Sequence, residues 1–225
     1  QLEASYGREV LERQGLSIRT TLDWHWQEVA ERLVDEQGKA MDRNWANSAG
    51  LVAMDPRSGE IIAMVGNRSY FDAAAGNFNM TTALRQPGSA FKPLVYATLL
   101  DQKTVTPATI LMDVLKNFGT ADTPYIPQDY DGKYRGPVTV RSALSQSLNI
   151  PAVQALTMVG IDEVIDTAED LGLTTLGDRK RFGPSLVLGG AEVRLVELVG
   201  AYSAFANHGL SVRPQSILEI TTRDG

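Results

Sequence analysis

The order of apolar and polar residues predicts one β-hairpin early in the chain. Two short apolar runs, at residues 50–54 and 60–65, flank the turn Asp55-Pro56-Arg57-Ser58-Gly59. Pro and Gly between two such runs are typical of a hairpin. Both runs are nearly continuous in apolar residues, so we expect both faces of this sheet to be covered. The hairpin is therefore predicted to be the central part of a sheet on which helices pack.

Helical spacing of apolar residues predicts helices along most of the chain. Asp23 is a candidate N-cap for a helix whose apolar face holds Trp26, Val29, Ala30 and Leu33. An earlier short helix is expected to end at Gly15. The other helices predicted from periodicity cover residues 138–147, 151–160, 161–172 and 196–209.

Two prolines indicate where helices begin around two polar motifs. Pro93 is tolerated only in the first turn of a helix, so its helix should begin near Ser89. The run that follows is apolar almost all round, which predicts a buried helix. Pro151 suits the first position of another helix, and Ile150 before it is pushed away from helical geometry. Ser147-Leu148-Asn149 is therefore predicted to lie at a connection between two helices.

Three further segments lack helical periodicity. Residues 66–88 are rich in Gly, Asn and Thr and predict a long loop, which in compact domains is usually functional or disordered. Residues 117–137, rich in Pro, Gly, Asp and Tyr, predict a surface excursion. Residues 216–222 predict a strand, with a hairpin partner expected after Gly225.

Composition narrows the possible functions. The net charge is -6 and the pI about 5.0, with no dense basic cluster, so no nucleic-acid partner is expected. The absence of cysteine excludes disulfides, thiolate catalysis and zinc–thiolate sites. The two histidines, His25 and His208, lack metal-ligand spacing and are interpreted as structural. No apolar run is long enough to cross a membrane, and an anchor upstream of Gln1 is left open.

Two short motifs carry candidate chemistry. Ser89 and Lys92 are three residues apart, so on a helix they share a face. A lysine acts as a base only when neutral, and burial together with a helix N-terminus would lower its pKa. In Ser147-Leu148-Asn149 the hydroxyl could relay a proton and the amide could hold a substrate carbonyl. The competing interpretation is that Ser147 and Asn149 only cap helix ends.

In this order the motifs resemble those of a known family. S-x-x-K followed by S-x-N resembles the first two of three motifs of penicillin-binding proteins and serine β-lactamases, the third being K-T-G. The flanking sequences resemble class A (bifunctional) penicillin-binding protein transpeptidase domains over about residues 16–225. The segments that carry this resemblance are GLSIRTTLDWHWQ, LVAMDPRSGEIIAMVG, RQPGSAFKP, SALSQSLNIPAV and LGGAEVRLVELVGAYSAFANHG.

The resemblance implies an α+β fold, a partial penicillin-binding protein/serine β-lactamase-like fold with an antiparallel sheet packed against helices and its C-terminal strands missing. Residues 1–47 would be a linker region leading into the transpeptidase domain, and residues 48–225 the N-terminal part of that domain. No K-T-G follows Asn149. In the family this motif lies on a strand beyond the point where the chain ends, so the chain alone is expected to need a further piece for activity.

The resemblance also implies residue roles. Ser89 would attack a D-Ala-D-Ala stem peptide, Lys92 would accept the Ser89 proton, Ser147 would relay a proton to the leaving amine, and Asn149 would position the substrate. No metal or cofactor is implied. β-Lactam antibiotics would acylate the same serine.

The parent protein is expected to be a peptidoglycan glycosyltransferase as well, membrane-anchored on the outer face of the bacterial cytoplasmic membrane. Two alternatives stay open at this point. One is a D,D-carboxypeptidase or β-lactamase on the same fold, in which water resolves the acyl-enzyme. The other is a non-catalytic module that only binds peptide or a partner protein.

Overall fold

The computed structural model describes residues 7–8, 15–41, 48–71 and 76–221. The helix predicted to end at Gly15 lies outside the described residues. The helices are α1 (Trp24–Met41), α2 (Lys92–Asp101), α3 (Val140–Ser145), α4 (Asn149–Val159), α5 (Ile161–Asp170) and α6 (Leu195–Ala206). The strands are β1 (Ser17–Thr20), β2 (Leu51–Met54), β3 (Ile61–Val65), β4 (Leu84–Arg85), β5 (Ile110–Asp113), β6 (Gly136–Thr139), β7 (Val193–Arg194) and β8 (Ile217–Thr221).

The strands form antiparallel pairs, and the chain divides into two compact units. The pairs are β1 with β8, β2 with β3, β4 with β7 and β5 with β6. One unit comprises residues 1–82 with 202–225, and the other residues 83–201. The predicted boundary between residues 47 and 48 stays a prediction. No helix in the described part of the chain is long and apolar enough to cross a membrane.

The predicted hairpin is confirmed in the first unit. β2 and β3 are antiparallel, with Leu51 opposite Val65. Along β3 the side chains alternate between buried and half-buried. One face is therefore fully covered and the other only partly, so the prediction of two covered faces was too strong.

Helix α1 begins as predicted but presents a different face to the sheet. The Trp26 N–H donates to Asp23 Oδ1 over 3.1 Å, which confirms Asp23 as the N-cap. Trp26 and Leu33, however, are 52% and 40% exposed, whereas Ala30 and Val34 are buried. The cause is Gln27, whose amide bonds both backbone groups of a β3 residue, Met64, at 2.9 and 3.0 Å. This pair of hydrogen bonds turns the Gln27 side of α1 toward the strand.

The predicted strand near the end of the chain is confirmed, but its partner was not foreseen. β8 pairs with β1, placing Ser17 opposite Thr221. All four side chains of β1 are exposed, so apolar and polar residues do not alternate clearly along residues 15–22. The sequence therefore carries no signal for this strand. The partner of β8 therefore comes from the N-terminal part of the sequence. The prediction had placed this partner after Gly225.

The second unit is built around the predicted buried helix. α2 packs against α4 and α5, and its apolar side chains Leu94, Val95 and Leu99 have no exposure. Strands β5 and β6 were not predicted. α4 begins at Asn149, so Ile150 is helical despite preceding Pro151, contrary to the prediction. Pro151 still lies among the first four helical residues, whose N–H groups lack helical partners, so the helix loses no hydrogen bond.

Candidate active site

Ser89 lies on a tight turn that runs directly into a buried helix. A short 3-10 helix, Gly88–Phe91, precedes α2, and Pro93 occupies the first turn of α2 as predicted. The Lys92 N–H donates to the Ser89 carbonyl across this turn. The Ser89 side chain is exposed, whereas Lys92 is only 1% exposed. The chain therefore passes from surface to interior within one helical turn.

A close approach of backbone fixes this turn from outside. Gly189 has φ +82°, and a Cβ there would lie 2.2 Å from the Gly88 nitrogen and 2.5 Å from its Cα. β4, which precedes Gly88, pairs next to this contact with β7, which follows Gly189, so that Leu84 lies opposite Arg194. Only glycine fits between these two backbones. Sequence reasoning did not single out Gly189, although the pair Gly189-Gly190 was its visible signal.

Lys92 brings three of the four predicted site residues into one cluster. Its Nζ donates to Asn149 Oδ1 over 2.6 Å, to the Ser147 carbonyl over 2.6 Å and to Ser147 Oγ over 3.1 Å. An ammonium group has three N–H donors and no acceptor, so these contacts use all of them. A buried charge with every donor paired avoids most of the penalty of leaving water.

Two influences on the Lys92 ammonium oppose each other. Burial lowers its pKa from 10.5 to about 8, while the negative charge of Asp129 acts in the opposite direction. A neutral amine has two N–H donors and a lone pair, so deprotonation requires Lys92 to release one acceptor. The contact to Ser147 Oγ is the longest. A hydroxyl can reverse direction and donate, so Ser147 and neutral Lys92 can exchange donor and acceptor roles.

Ser147 reaches Lys92 because of an unusual backbone conformation. It follows α3 with φ +55°, the left-handed region in which glycine is preferred. The Ser147 N–H donates to the Leu144 carbonyl and the Leu148 N–H to the Ala143 carbonyl, each over 3.0 Å. This is the Schellman arrangement of a helix C-terminus, with the following leucine buried. Ser147 thus terminates a helix through its backbone while its side chain faces Lys92. Its role in proton transfer stays a prediction.

Asn149 is held on both its backbone and its side chain. Its Nδ2 donates to the Gln128 carbonyl over 2.7 Å, which turns Oδ1 toward Lys92. Its backbone N–H donates to a carboxylate oxygen of Asp129. Asp129 is 6% exposed and its neighbour Asp113 has no exposure. Sequence reasoning missed both aspartates. Asp129 falls in residues 117–137, whose composition indicates a surface excursion, and Asp113 lies in β5, which was not predicted. Buried acids also give no periodic signal.

The structure does not join Ser89 to this cluster by a hydrogen bond. Among the described residues, no hydrogen bond links Ser89 Oγ to Lys92 Nζ, and the two share only the backbone contact of the turn. The histidines lie elsewhere in the sequence. His25 packs edge-on against Trp26 with ring centroids 5.6 Å apart, and His208 occupies a left-handed position after α6.

Comparison with known proteins identifies the family. Residues 49–224 match the Penicillin binding protein transpeptidase domain. The chain is 35% identical to Penicillin-binding protein 2D of Bacillus subtilis, over the whole chain and 32% of that protein. It is 38% identical to Penicillin-binding protein 1A of Aquifex aeolicus, over 78% of the chain and 23% of that protein. The chain therefore belongs to the penicillin-binding protein transpeptidase family, and the resemblance to its class A members is confirmed.

Solved structures confirm the predicted α+β fold class. PonA1 from Mycobacterium tuberculosis superposes with a TM-score of 0.83 at 23% identity, covering the whole chain and 59% of that structure. Penicillin-Binding Protein 1A from Haemophilus influenzae superposes with a TM-score of 0.70 at 30% identity, covering 80% of the chain and 26% of that structure. The chain spans about a third or less of the length of the curated relatives named here.

Replacing Gly189 by alanine should disturb the turn that carries Ser89. The new Cβ would meet the Gly88 backbone, and φ +82° disfavours any side chain. We expect Gly189→Ala to lower the free energy of unfolding by about 2 kcal/mol or more, measured by urea denaturation. Gly183→Ala is the matched control, because its φ is -135° and no atom lies within 4 Å of the added Cβ. Equal stability of the two variants would contradict the close approach.

Replacing Ser147 should separate backbone strain from side-chain chemistry. Glycine adopts φ +55° without a steric penalty, so Ser147→Gly is expected to be more stable than Ser147→Ala by about 1 kcal/mol. At Ser145, the last residue of α3, the order should reverse, because glycine is less favourable than alanine in a helix, by up to about 1 kcal/mol. Urea denaturation of the four variants measures both differences. The same order at both sites would show that Ser147 is not strained.

Proposed function

We propose that the protein is a peptidoglycan D,D-transpeptidase whose nucleophile is Ser89. The observation that carries the proposal is the burial of Lys92 one turn after Ser89, with hydrogen bonds to both Ser147 and Asn149. Membership of the transpeptidase family supports the same reaction class. A neighbour in fold, PonA1, is known in complex with penicillin V, which supports β-lactams as ligands of this site.

The contacts of Lys92 support a route for acylation. Ser89 Oγ attacks the carbonyl of the penultimate D-Ala, and its proton passes to the neutral amine of Lys92. The tetrahedral intermediate collapses and the peptide C–N bond breaks. Ser147 gives its hydroxyl proton to the leaving amine of the terminal D-Ala and regains one from Lys92, with which it is in contact at 3.1 Å. Such positioned proton transfers contribute about a hundred- to ten-thousandfold in rate.

Deacylation completes the cross-link. The amine of a neighbouring stem peptide attacks the Ser89 ester, a new C–N bond forms, and the ester C–O bond to Ser89 Oγ breaks. The proton that the amine loses passes to Ser89 Oγ. Asn149 is proposed to hold the stem peptide or the β-lactam side chain. A β-lactam resembles the dipeptide, and its opened ring stays attached as a slow acyl-enzyme.

The start of the helix after Ser89 stabilises the negative charge that develops during acylation. The Ser89 backbone N–H lies at the positive end of the 3-10 helix and α2, where it supplies one donor to the oxyanion. In the family the second donor belongs to the K-T-G strand, and residues 1–225 contain no K-T-G. Losing one oxyanion donor typically costs about a hundred- to a thousandfold in rate, so activity is to be measured on the protein over its full length.

The remaining parts of the proposal concern the whole protein. It carries a glycosyltransferase activity in addition, and residues 1–47 link to the transpeptidase domain. It works at the outer face of the bacterial cytoplasmic membrane, to which an anchor holds it. Its partners are D-Ala-D-Ala stem peptides, and no cofactor takes part.

Labelling by a fluorescent penicillin tests the nucleophile. The full-length protein is expected to carry the label on Ser89, located by peptide mass spectrometry, and Ser89→Ala should abolish it. Ser145→Ala is the control, because Ser145 is an exposed serine bonded only within its own helix at 3.1 Å. It should keep full labelling. Label on the Ser89→Ala variant, or none on the wild type, would contradict the proposal.

The pH dependence of acylation tests the role of Lys92. The base is the neutral amine, so the rate of penicillin acylation should rise with pH and level off above a pKa of about 8. Lys92→Ala should slow acylation by about a hundredfold or more and remove the titration, while Lys116→Ala, at an exposed lysine, should change neither. A wild-type rate that is flat between about pH 6 and 9 would exclude Lys92 as the base.

A further inference from the structure

We propose that Asp129 is a positioning residue for the Lys92 centre, which fixes Asn149 through its carboxylate and stabilises the Lys92 ammonium through its charge. The proposal rests on the function proposed above. Asp129 lies 20 residues before Asn149 in the sequence and outside the S-x-x-K and S-x-N motifs. It touches neither the nucleophile nor the base through a hydrogen bond, so it acts on the site through other groups.

The first line of evidence is the start of α4. The residue at its N-cap, Leu148, has no side chain that can cap the helix. Asp129 supplies the missing acceptor from a distant segment, because its Oδ1 receives the backbone N–H of Asn149 and, over 3.4 Å, that of Ile150. A carboxylate at a helix N-terminus is favoured by both hydrogen bonding and the helix dipole. The helix that carries Asn149 is thus anchored by Asp129.

The second line of evidence is the orientation of the Asn149 amide. The carbonyl of Gln128, the residue next to Asp129, accepts from Asn149 Nδ2 over 2.7 Å. Two adjacent residues therefore hold the backbone and the side chain of Asn149 together. With Nδ2 committed to Gln128, Oδ1 faces Lys92 at 2.6 Å. A shift of residues 128–129 would move the acceptor that Lys92 uses.

The third line of evidence is the set of charges around Asp129. Arg135 Nη1 lies 3.3 Å from Asp129 Oδ2 and 3.5 Å from Asp113 Oδ2. Tyr96 faces the same region from α2, and its hydroxyl is buried without a hydrogen-bond partner among the described residues. Burial raises the pKa of Asp129, the N–H groups of Asn149 and Ile150 oppose the rise, and the neighbouring Asp113 adds to it. The guanidinium of Arg135 and these N–H groups both favour the ionised form of Asp129.

The charge of Asp129 therefore has a predictable effect on Lys92. A negative carboxylate favours the protonated amine and so raises the pKa of Lys92, against the larger lowering by burial. Removing the charge while keeping the acceptor should let the pKa of Lys92 fall further. Asp129→Asn makes this change, because the amide oxygen can still receive the Asn149 N–H and the amide nitrogen can donate to Asp113.

A titration that does not depend on activity tests the electrostatic part. The chain has six lysines, so an NMR pH titration of isotopically labelled lysine side chains, assigned with Lys92→Met, reports the pKa of Lys92 directly. Asp129→Asn should lower that pKa by about 0.5–1 unit. Asp131→Asn is the matched control, since Asp131 binds the same arginine at 2.9 Å from a more exposed position. It should leave the pKa unchanged. No shift in Asp129→Asn, or equal shifts in both variants, would overturn the proposal.

Acylation by fluorescent penicillin in the full-length protein tests the positional part. Asp129→Asn should acylate within about threefold of the wild type, with its pH profile moved to lower pH by the same shift. Asp129→Ala should acylate about tenfold or more slowly at every pH, because the anchor of Asn149 is lost. Wild-type rates in Asp129→Ala would overturn the positional role. An unlabelled wild-type protein would instead refute the proposed function, while the NMR titration would still decide the role of Asp129.

Discussion

The burial of one charged amine organises the second unit. Lys92 lies inside an apolar helical core, and a charge in such a place is tolerated only when all of its donors are paired. The three acceptors around Nζ come from the backbone and side chain of Ser147 and from Asn149. Those acceptors dictate the geometry of the connection between α3 and α4. The left-handed backbone of Ser147 and the fixed amide of Asn149 both follow from the need to surround this amine.

The same requirement links stability to chemistry. A lysine whose ammonium group has all of its donors paired is a poor base. Burial lowers the pKa of Lys92 to about 8, so that the ammonium can lose its proton at a moderately alkaline pH. Near that pH, both the ammonium and the neutral amine of Lys92 are present. Two contacts hold the surrounding groups in position. Gly189 packs directly on the Gly88 backbone, and the Gln128 carbonyl accepts a hydrogen bond from the Asn149 amide.

Much of this arrangement could be predicted from the sequence, because local rules govern it. Pro93 located the start of the nucleophile helix, and Asp23 capped α1 as expected. The parts that could not be predicted depend on partners distant in sequence. The buried face of α1 is set by a polar residue, Gln27, which binds the backbone of a strand 37 residues later. Asp129 is buried among other charges, and neither periodicity nor composition indicates such a position.

The pairing of β1 with β8 has a consequence for how the chain folds. Their contacts join residues about 200 positions apart, as in the ion pair of Arg19 with Glu219. Closing so long a loop is slow and costs conformational entropy before any contact forms. Residues 83–201 form a continuous unit, whereas the other unit is split around them. During synthesis the unit that holds Lys92 can therefore fold before β8 emerges, while the split unit must wait for β8 to pair with β1.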